Sequence, residues 1–155
     1  MRYSPKPFGR HYAVLARDSD FRFMYRKADS FSCPLFVCHY KEIKGRVNRV
    51  AFVSSKKIGN AVKRNRARRV LRESWRLFEP ELKAVFPRGA AKRFTFVFVA
   101  RDKTTSVKSS EILAAFRERL PPYLTGQKTP PVYNKRDNKP ANRKYPAPKP
   151  NGSKP

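Results

Sequence analysis

The stretch RFTFVFVA at residues 93–100 decides the fold of this chain. Phenylalanines alternate with threonine and valine along it, so an extended chain would present apolar side chains on both of its faces. A strand that is apolar on both faces is normally covered on both sides and lies inside a sheet. We therefore predict a central strand here, around which the rest of the sheet is arranged.

Two further strands are predicted upstream of this central strand. An apolar stretch from about Ser32 to Ile43 favours one of them, and a second extends from about Val47 to Ser54. The residues KGR at 44–46 lie between the two stretches and predict a turn.

Three segments have the spacing or the capping residues of helices. The candidate N-caps are Asp18 or Ser19 for the first, Asn60 for the second, and Ser109 or Ser110 for the third. Apolar residues recur at helical spacing in the first and third helices, at Phe21, Met24, Tyr25 and Ala28, and at Ile112, Leu113, Phe116 and Leu120. Pro121 and Pro122 should end the third helix. The predicted order is αββαβα, which indicates an α+β sandwich: a small central sheet covered by helices, mainly on one side.

The two ends of the chain differ from its middle in composition. Residues 121–155 are rich in Pro, Lys and Arg and have few aliphatic residues, so they cannot bury enough apolar surface to offset the entropy of ordering. We predict a basic, loosely held lead-in over residues 1–17, a folded domain over 18–120, and a disordered tail over 121–155. The tail either trails along RNA or is a solvated segment without a function.

The charge of the chain predicts a polyanionic partner. There are 37 Lys and Arg residues against 11 Asp and Glu, which gives a formal net charge of +26. Nucleic acid is the favoured partner, because each phosphate can exchange a condensed counterion for a protein cation. A membrane partner would require a long apolar span or a bulky amphipathic face, and neither is visible. No apolar core of signal-peptide length follows the N-terminal basic residues, so we expect a cytoplasmic protein.

Catalytic constellations are not visible in the sequence. Cys33 and Cys38 are five residues apart, so on one strand their side chains would point to opposite faces, which excludes a local disulfide; we interpret both as buried thiols. His11 and His39 have no cysteine or carboxylate cluster at metal-ligand spacing. A protein-only nuclease would need side chains that collect metal or activate water. We therefore predict no metal site and no catalytic residues in the protein itself.

The segment SKKIGNAVKRNRARRVLRESWR at residues 55–76 concentrates basic residues on one helix. At 100° per residue, Asn65, Arg69, Arg72 and Arg76 share one side and form a basic ridge, with Arg66 and Arg68 at its flanks. The opposite side carries the apolar residues. Guanidinium groups suit phosphate oxygens because their planar fork can bind them bidentately.

A solvated helix surface is the alternative interpretation of this ridge. Like charges four residues apart destabilise a helix, however, and a solubilising face would mix Glu among the Arg. Glu73 is the only acid between Ser55 and Leu77. We therefore favour nucleic-acid contact. Asn65 can hold a neighbouring backbone group or read a base or a 2′-hydroxyl, since it offers both a donor and an acceptor.

These residues resemble the bacterial ribonuclease P protein component family. The string SSKKIGNAVKRNRARRVLRESWR at 54–76 is similar to its signature, and the resemblance extends to DFRFMYRKADSFSCPLFV at 20–37 and FVFVARD at 96–102. It implies a subunit of a ribonucleoprotein endonuclease that removes the 5′ leader of precursor tRNA. It also implies Mg²⁺ held mainly by the RNA subunit, a protein that is not catalytic alone, and a left-handed βαβ crossover at the basic helix. The implied partners are the catalytic RNA and precursor tRNA.

The resemblance assigns residues to two RNA contacts. The basic helix of the family lies against the catalytic RNA, and the residues expected in that role are Lys56, Lys57, Arg64, Asn65, Arg66, Arg68, Arg69 and Arg72, with Arg76 completing the ridge. The family also holds the single-stranded leader between its first helix and the sheet, where aromatic rings stack on bases. Phe21 and Tyr25 match the helix side of this cleft, with core packing as the alternative.

The strand side of the cleft departs from the family pattern. His39 stands where family members often have an aromatic residue, and Tyr40 falls on the opposite face of the strand. We assign no strand-side residue from the sequence. A structural RNA-binding protein, such as a ribosomal protein, remains the alternative function, because it would share the charge, the size and the tail.

Overall fold

The strand predicted at residues 93–100 lies at the centre of the sheet in the computed structural model, which describes residues 12–87 and 92–131. The strands are β1 (Tyr12–Val14), β2 (Asp29–Ser32), β3 (Phe36–Ile43), β4 (Asn48–Val53) and β5 (Arg93–Ala100). The helices are α1 (Asp18–Lys27), α2 (Ala61–Phe78), α3 (Leu82–Val85) and α4 (Ser109–Leu124). Short 3-10 turns lie at Lys56–Ile58, Glu79–Glu81 and Asp102–Ser106.

Within the described residues, the sheet has five strands in the order β1-β4-β5-β3-β2. β5 pairs in parallel with β4 and antiparallel with β3, so Val97 has Ala51 on one side and His39 on the other. The connection from β4 to β5 passes through α2, which makes this unit a βαβ crossover. Its left-handed sense stays a prediction.

The two faces of the sheet carry different cores. On one face, Phe96 and Phe98 pack with Trp75 of α2 and Phe116 of α4, all of them fully buried. On the other face, a smaller cluster around Val97 and Val99 includes Met24 of α1. The alternation along β5 therefore directs its phenylalanines toward the two long helices and its valines toward α1. The predicted α+β class is confirmed.

The predicted element order is incomplete at the start of the chain. Residues 12–14 form β1, which pairs with β4, and Tyr12 and Leu15 are only 4% and 3% exposed. The lead-in placed at residues 1–17 thus contains a strand, while residues 1–11 lie outside the described part of the chain. The strand was missed because three residues are too few to show a period.

The single strand predicted over 32–43 is in fact a hairpin of β2 and β3. The chain turns at residues 33–35, where the Cys33 amide donates to the Phe36 carbonyl at 2.9 Å. Pro34 sits in this turn, and proline cannot donate a ladder hydrogen bond within a strand. Cys33 and Cys38 are consequently buried in the same core cluster, and the expectation that they point to opposite faces is wrong.

The helix ends were only partly predicted. Asn60 caps α2 as expected, accepting from the Lys63 amide at 3.0 Å. The N-caps of α1 and α4 are Arg17 and Lys108, so the serine and aspartate caps proposed there are wrong. At α4, the Glu111 carboxylate instead accepts from the Lys108 amide at 2.8 Å. This hydrogen bond satisfies the Lys108 amide without a serine at the cap position.

The predicted stop of α4 at Pro121 and Pro122 is also wrong. The helix continues to Leu124, which is 4% exposed, and Tyr123 stacks on Phe31 with ring centroids 4.2 Å apart. Two prolines at the last turn remove only two intrahelical hydrogen bonds, and burial of the residues beyond them offsets that loss. Residues 132–155 of the proposed tail lie outside the described part.

Candidate nucleic-acid interface

Helix α2 separates an apolar face from a basic one. Its inward side chains fill the core between the sheet and α4, and these are Ala67, Val70, Leu71, Ser74, Trp75 and Phe78. Because packing of this face fixes the rotation of the helix about its axis, the ridge residues must project away from the sheet. The exposed members of the proposed RNA-binding set are Lys56, Lys57, Asn65, Arg66, Arg69, Arg72 and Arg76, whereas Arg64 and Arg68 are half-buried.

Both flanks of the ridge are anchored to neighbouring elements. On one flank, the Arg66 Nε donates to the Thr105 carbonyl in the turn before α4 at 2.8 Å. On the other flank, Arg68 Nη1 donates to the Ser54 hydroxyl after β4 at 3.3 Å. Arg68 Nη2 donates to the Asn65 carboxamide oxygen. The basic helix is therefore held from both sides by its own arginines.

The middle of the ridge carries cations without protein partners. Arg69 and Arg72 make no hydrogen bond or ion pair with any residue in the described ranges 12–87 and 92–131. Arg76 forms an exposed ion pair with Glu73 at 3.2 Å, a type of contact that contributes little in water. Arg69 and Arg72 are consequently the ridge residues most available to neutralise phosphates.

The predicted pair on α1 lies over the opposite face of the sheet. Phe21 and Tyr25 are half-buried, with ring centroids 6.4 Å apart, and both pack against the cluster around Val97 and Val99. Each ring thus has one side on the protein and one side open. The structure brings together the two residues that the sequence assigned to the helix side of a cleft.

His39 of β3, to which the sequence assigned no role in the cleft, lies on the sheet beside this pair. Its ring meets the Tyr25 ring edge to face, with centroids 5.1 Å apart. Tyr40 points to the other face, where it packs with Phe31 and Tyr123, as the alternation predicted. Side chains alternate along β3, which places residues 37, 39 and 41 on the α1 side of the sheet. The sequence shows this alternation, but the register of the strand is needed to tell which side faces α1.

The environment of His39 controls its charge. The residue is 9% exposed, and burial lowers the pKa of its imidazole to about 4. Desolvation disfavours the charged form of a buried histidine. His39 is therefore neutral at pH 7 and presents an uncharged aromatic ring to the cleft.

An ion pair fixes α1 across the sheet. Arg49 of β4 donates to Asp20 of α1 at 2.8 Å, and both side chains are a little more than a quarter exposed, at 29% and 28%. Partial solvent screening limits the contribution of this pair to stability, but the pair connects α1 to β4. The same helix carries Phe21 and Tyr25.

The described residues contain neither a metal-binding group nor a helix that could span a membrane. Three or more histidine, cysteine or acidic side chains do not come together in a metal-binding group anywhere in residues 12–87 and 92–131. In the same ranges, no helix combines the length and the apolar character needed to cross a bilayer.

Known proteins similar to this chain belong to one family. The family model described as Ribonuclease P matches residues 10–122. The ribonuclease P protein component of Alkaliphilus oremlandii is 34% identical over 106 residues, which cover 68% of this chain and 86% of that relative. The corresponding protein of Clostridioides difficile is 35% identical over 104 residues, covering 63% and 91% of the two chains.

Solved structures similar to this fold carry the same description. The RNase P protein from Thermotoga maritima superposes with a TM-score of 0.56 at 24% identity, covering 70% of this chain and 94% of that one. An RNase P protein structure from Staphylococcus aureus gives a TM-score of 0.53 at 25% identity, with coverages of 69% and 91%. The similarity therefore extends from the sequence motifs to the arrangement of the sheet and helices.

Proposed function

Because this chain belongs to the bacterial ribonuclease P protein family, we propose that it binds the catalytic RNA of ribonuclease P and the 5′ leader of precursor tRNA. The chain is a protein component of an endoribonuclease complex for tRNA processing. Within that complex, we assign bond cleavage to the RNA, and binding and positioning to the protein.

The observation that carries this proposal is the row of arginines along α2. Arg69 and Arg72 are exposed and have no partner among the described residues, while Arg66 and Arg68 on the flanks are tethered to the body of the protein. A helix that presents several guanidinium groups on a packed scaffold suits the closely spaced phosphates of a structured RNA. We expect Lys56 and Lys57, exposed in the turn before α2, to extend this contact.

The cleft beside α1 suits a single strand. Phe21 and Tyr25 offer ring faces on which unpaired bases of any identity can stack, and the buried, neutral ring of His39 supports Tyr25 from the sheet. Stacking without base-specific hydrogen bonds would accept leaders of different sequence. This property supports the assignment of the leader, rather than of the folded tRNA body, to the cleft.

Mg²⁺ would be held mainly by the RNA subunit in this scheme. Mg²⁺ prefers oxygen ligands and commonly binds through phosphates. Several carboxylates of the protein are already engaged: Asp20 with Arg49, Glu42 with Lys92, Glu73 with Arg76, and Glu81 with Arg117. This pairing of carboxylates supports the proposal that the RNA, rather than the protein, supplies the ligands of the ion. Bound there, the ion would activate the attacking water and stabilise the leaving oxygen.

Reconstitution tests the proposed division of labour. We expect the isolated protein not to cleave precursor tRNA, and addition of a transcribed ribonuclease P RNA with Mg²⁺ to give cleavage at the 5′ end of the mature sequence. The measurement is gel analysis of end-labelled precursor tRNA with each component alone and with both, at an ionic strength where the RNA alone is slow.

The control is protein prepared free of RNA and tested for residual nucleic acid. Site-specific, metal-dependent cleavage by that preparation would contradict the assignment of catalysis to the RNA. Failure of the protein to alter cleavage by the RNA under any ionic condition would contradict its role as a subunit.

A further inference from the structure

Asn65 lies at the N-terminal end of the basic ridge, yet its side chain is engaged within the protein. The Asn65 carboxamide oxygen accepts a hydrogen bond from Arg68 Nη2, one turn further along α2. A side chain that reads a base would need this oxygen or the amide group beside it for the RNA. The contact uses the carboxamide oxygen within α2 and so gives Asn65 a task other than readout through that oxygen.

Arg68 has a second anchor on another element. Its Nη1 donates to the Ser54 hydroxyl, and that hydroxyl lies 3.3 Å from the Arg64 carbonyl, to which it donates. The guanidinium is thus held between an acceptor on α2 and an acceptor at the end of β4. Five N–H donors are present on a guanidinium, so three remain for a ligand.

This arrangement distinguishes Arg68 from the centre of the ridge. Arg69 and Arg72 are exposed and have no partner in the described residues, so each must be ordered when RNA binds. Ordering a long side chain opposes binding. An arginine that is already held in place loses less freedom when it meets a phosphate.

We propose that Asn65 is a positioning residue that, together with Ser54, holds the Arg68 guanidinium ready for a phosphate of the RNA partner. The inference rests on the proposed function, in which α2 contacts RNA. It assigns Asn65 an effect on RNA binding that passes through Arg68 and involves no contact between Asn65 and a base.

A double-mutant cycle tests this coupling. The affinity of the full chain for a transcribed ribonuclease P RNA is measured for the unaltered protein, Asn65→Ala, Arg68→Ala and the double variant. We expect Asn65→Ala alone to weaken binding by about fivefold, as loss of one orienting hydrogen bond would. In the Arg68→Ala background, the same change should have no further effect.

The salt dependence supplies an independent readout. Asn65→Ala removes no charge, yet it should lower the slope of log K against log salt by part of the roughly one unit that a lost phosphate contact removes. A lost base contact would leave that slope unchanged. Ser54→Ala should behave like Asn65→Ala, because it removes the other anchor of Arg68.

The matched control is the pair Asn65 and Arg72, which share the ridge but lie seven residues, or about two helical turns, apart on α2. Their effects on affinity should multiply, since independent sites are additive in free energy. Thermal melts of all variants verify that exposed Asn65 can be replaced without loss of the fold.

Two results would overturn the inference. One is an Asn65→Ala effect of equal size with and without Arg68, which would show direct contact between Asn65 and RNA and leave the proposed function intact. The other is no effect of Asn65→Ala on affinity or slope while Arg69→Ala weakens binding. If the unaltered chain does not bind the RNA at all, the proposed function fails and this inference fails with it.

Discussion

Burial determines the charge state of His39, which lies beside α1 at the proposed cleft. With its pKa lowered to about 4 by desolvation, the imidazole contributes an uncharged ring at pH 7. The positive charge of the molecule at pH 7 therefore comes from Lys and Arg, and His39 contributes an aromatic contact with Tyr25.

A pH dependence of stability follows from this burial. An unfolded histidine titrates near 6.5, so below that pH the unfolded state gains a proton that native His39 does not take up until about pH 4. His39 therefore does not lower the free energy of unfolding above pH 6.5, but it lowers it by on the order of 3 kcal/mol as the pH falls from 6.5 to 4. Chemical unfolding at several pH values measures this, and His39→Phe should flatten the curve in that interval. An equal slope in the variant would contradict the prediction.

At the centre of the ridge, Arg69→Ala and Arg72→Ala should weaken RNA binding without loss of stability. Neither residue has a partner in the described part of the chain, so truncation breaks no protein contact. Each variant should lower the salt slope by up to about one unit. Arg66→Ala should weaken binding too, but it also breaks the hydrogen bond to the Thr105 carbonyl.

The control for these variants is Lys44→Ala, which removes the same charge from an exposed position between β3 and β4. Binding isotherms at several salt concentrations and thermal melts give both quantities. If all three ridge variants and the control have the same affinity and slope as the unaltered chain, the ridge is a solvated surface.

At the scale of elements, α1 combines a buried anchor with an open edge. Met24 is 2% exposed and fixes the helix on the sheet, whereas Phe21 and Tyr25 line its edge and are half-buried. The sequence could not separate these roles, because all three residues share the same helical spacing. Core packing of Phe21 and Tyr25 therefore holds in part, and their place in a leader cleft stays a prediction.

Leader recognition should depend on the edge of α1. Phe21→Ala or Tyr25→Ala should weaken binding of precursor tRNA to the assembled holoenzyme, by on the order of 1–3 kcal/mol per lost stacking contact. Binding of mature tRNA, which lacks the leader, should hardly change. The measurements are both affinities and a thermal melt for each variant.

Met24→Ala is the matched control on the same helix. It should lower the free energy of unfolding by about 2–5 kcal/mol and leave the ratio of precursor to mature affinity unchanged. A large loss of stability in Phe21→Ala, with that ratio unaltered, would show that the ring acts as core alone.

Helix α4 continues past two prolines that would normally end a helix. Two consecutive prolines predict an end at residue 120, yet the helix extends to Leu124, and Thr125 donates through both its amide and its hydroxyl to the Pro121 carbonyl. The last turn covers the open side of Phe31, so its burial depends on β2. Local propensity is a weak determinant when tertiary packing favours the same residues in a helix.

At the scale of the whole molecule, the sheet separates two candidate RNA surfaces. The ridge on α2 lies outside one face of the sheet, and the cleft beside α1 lies against the other. A protein that bridges two RNA segments requires such a separation. The net charge of +26 gives both surfaces a favourable long-range field.

RNA recovered with the protein from cells should therefore be dominated by one structured species. Sequencing of RNA that copurifies with the tagged full chain, after washes at moderate salt, measures this. We expect ribonuclease P RNA to be enriched over ribosomal RNA relative to an equally basic control protein. Enrichment of ribosomal RNA alone would instead favour the structural RNA-binding alternative.

The sequence by itself determined the features that depend on local order. Alternation over 93–100 predicted the central strand with its bounds, the α+β class followed from the element types, and Asn60 was predicted as the cap of α2. The helical period also placed the basic residues on the side of α2 away from the core. Each of these signals lies within a few residues, where spacing and side-chain chemistry fix the outcome.

Only the tertiary structure decided the features that depend on distant partners. β1 forms because it can pair with the edge of β4. α4 continues through its prolines because its last turn packs on Phe31. The pairing of Arg66 with Thr105, and of Tyr25 with His39, joins residues that are far apart in the sequence. Periodicity carries no information about which elements meet. The division of the ridge into arginines that are held and arginines without a partner among the described residues therefore followed from the tertiary packing.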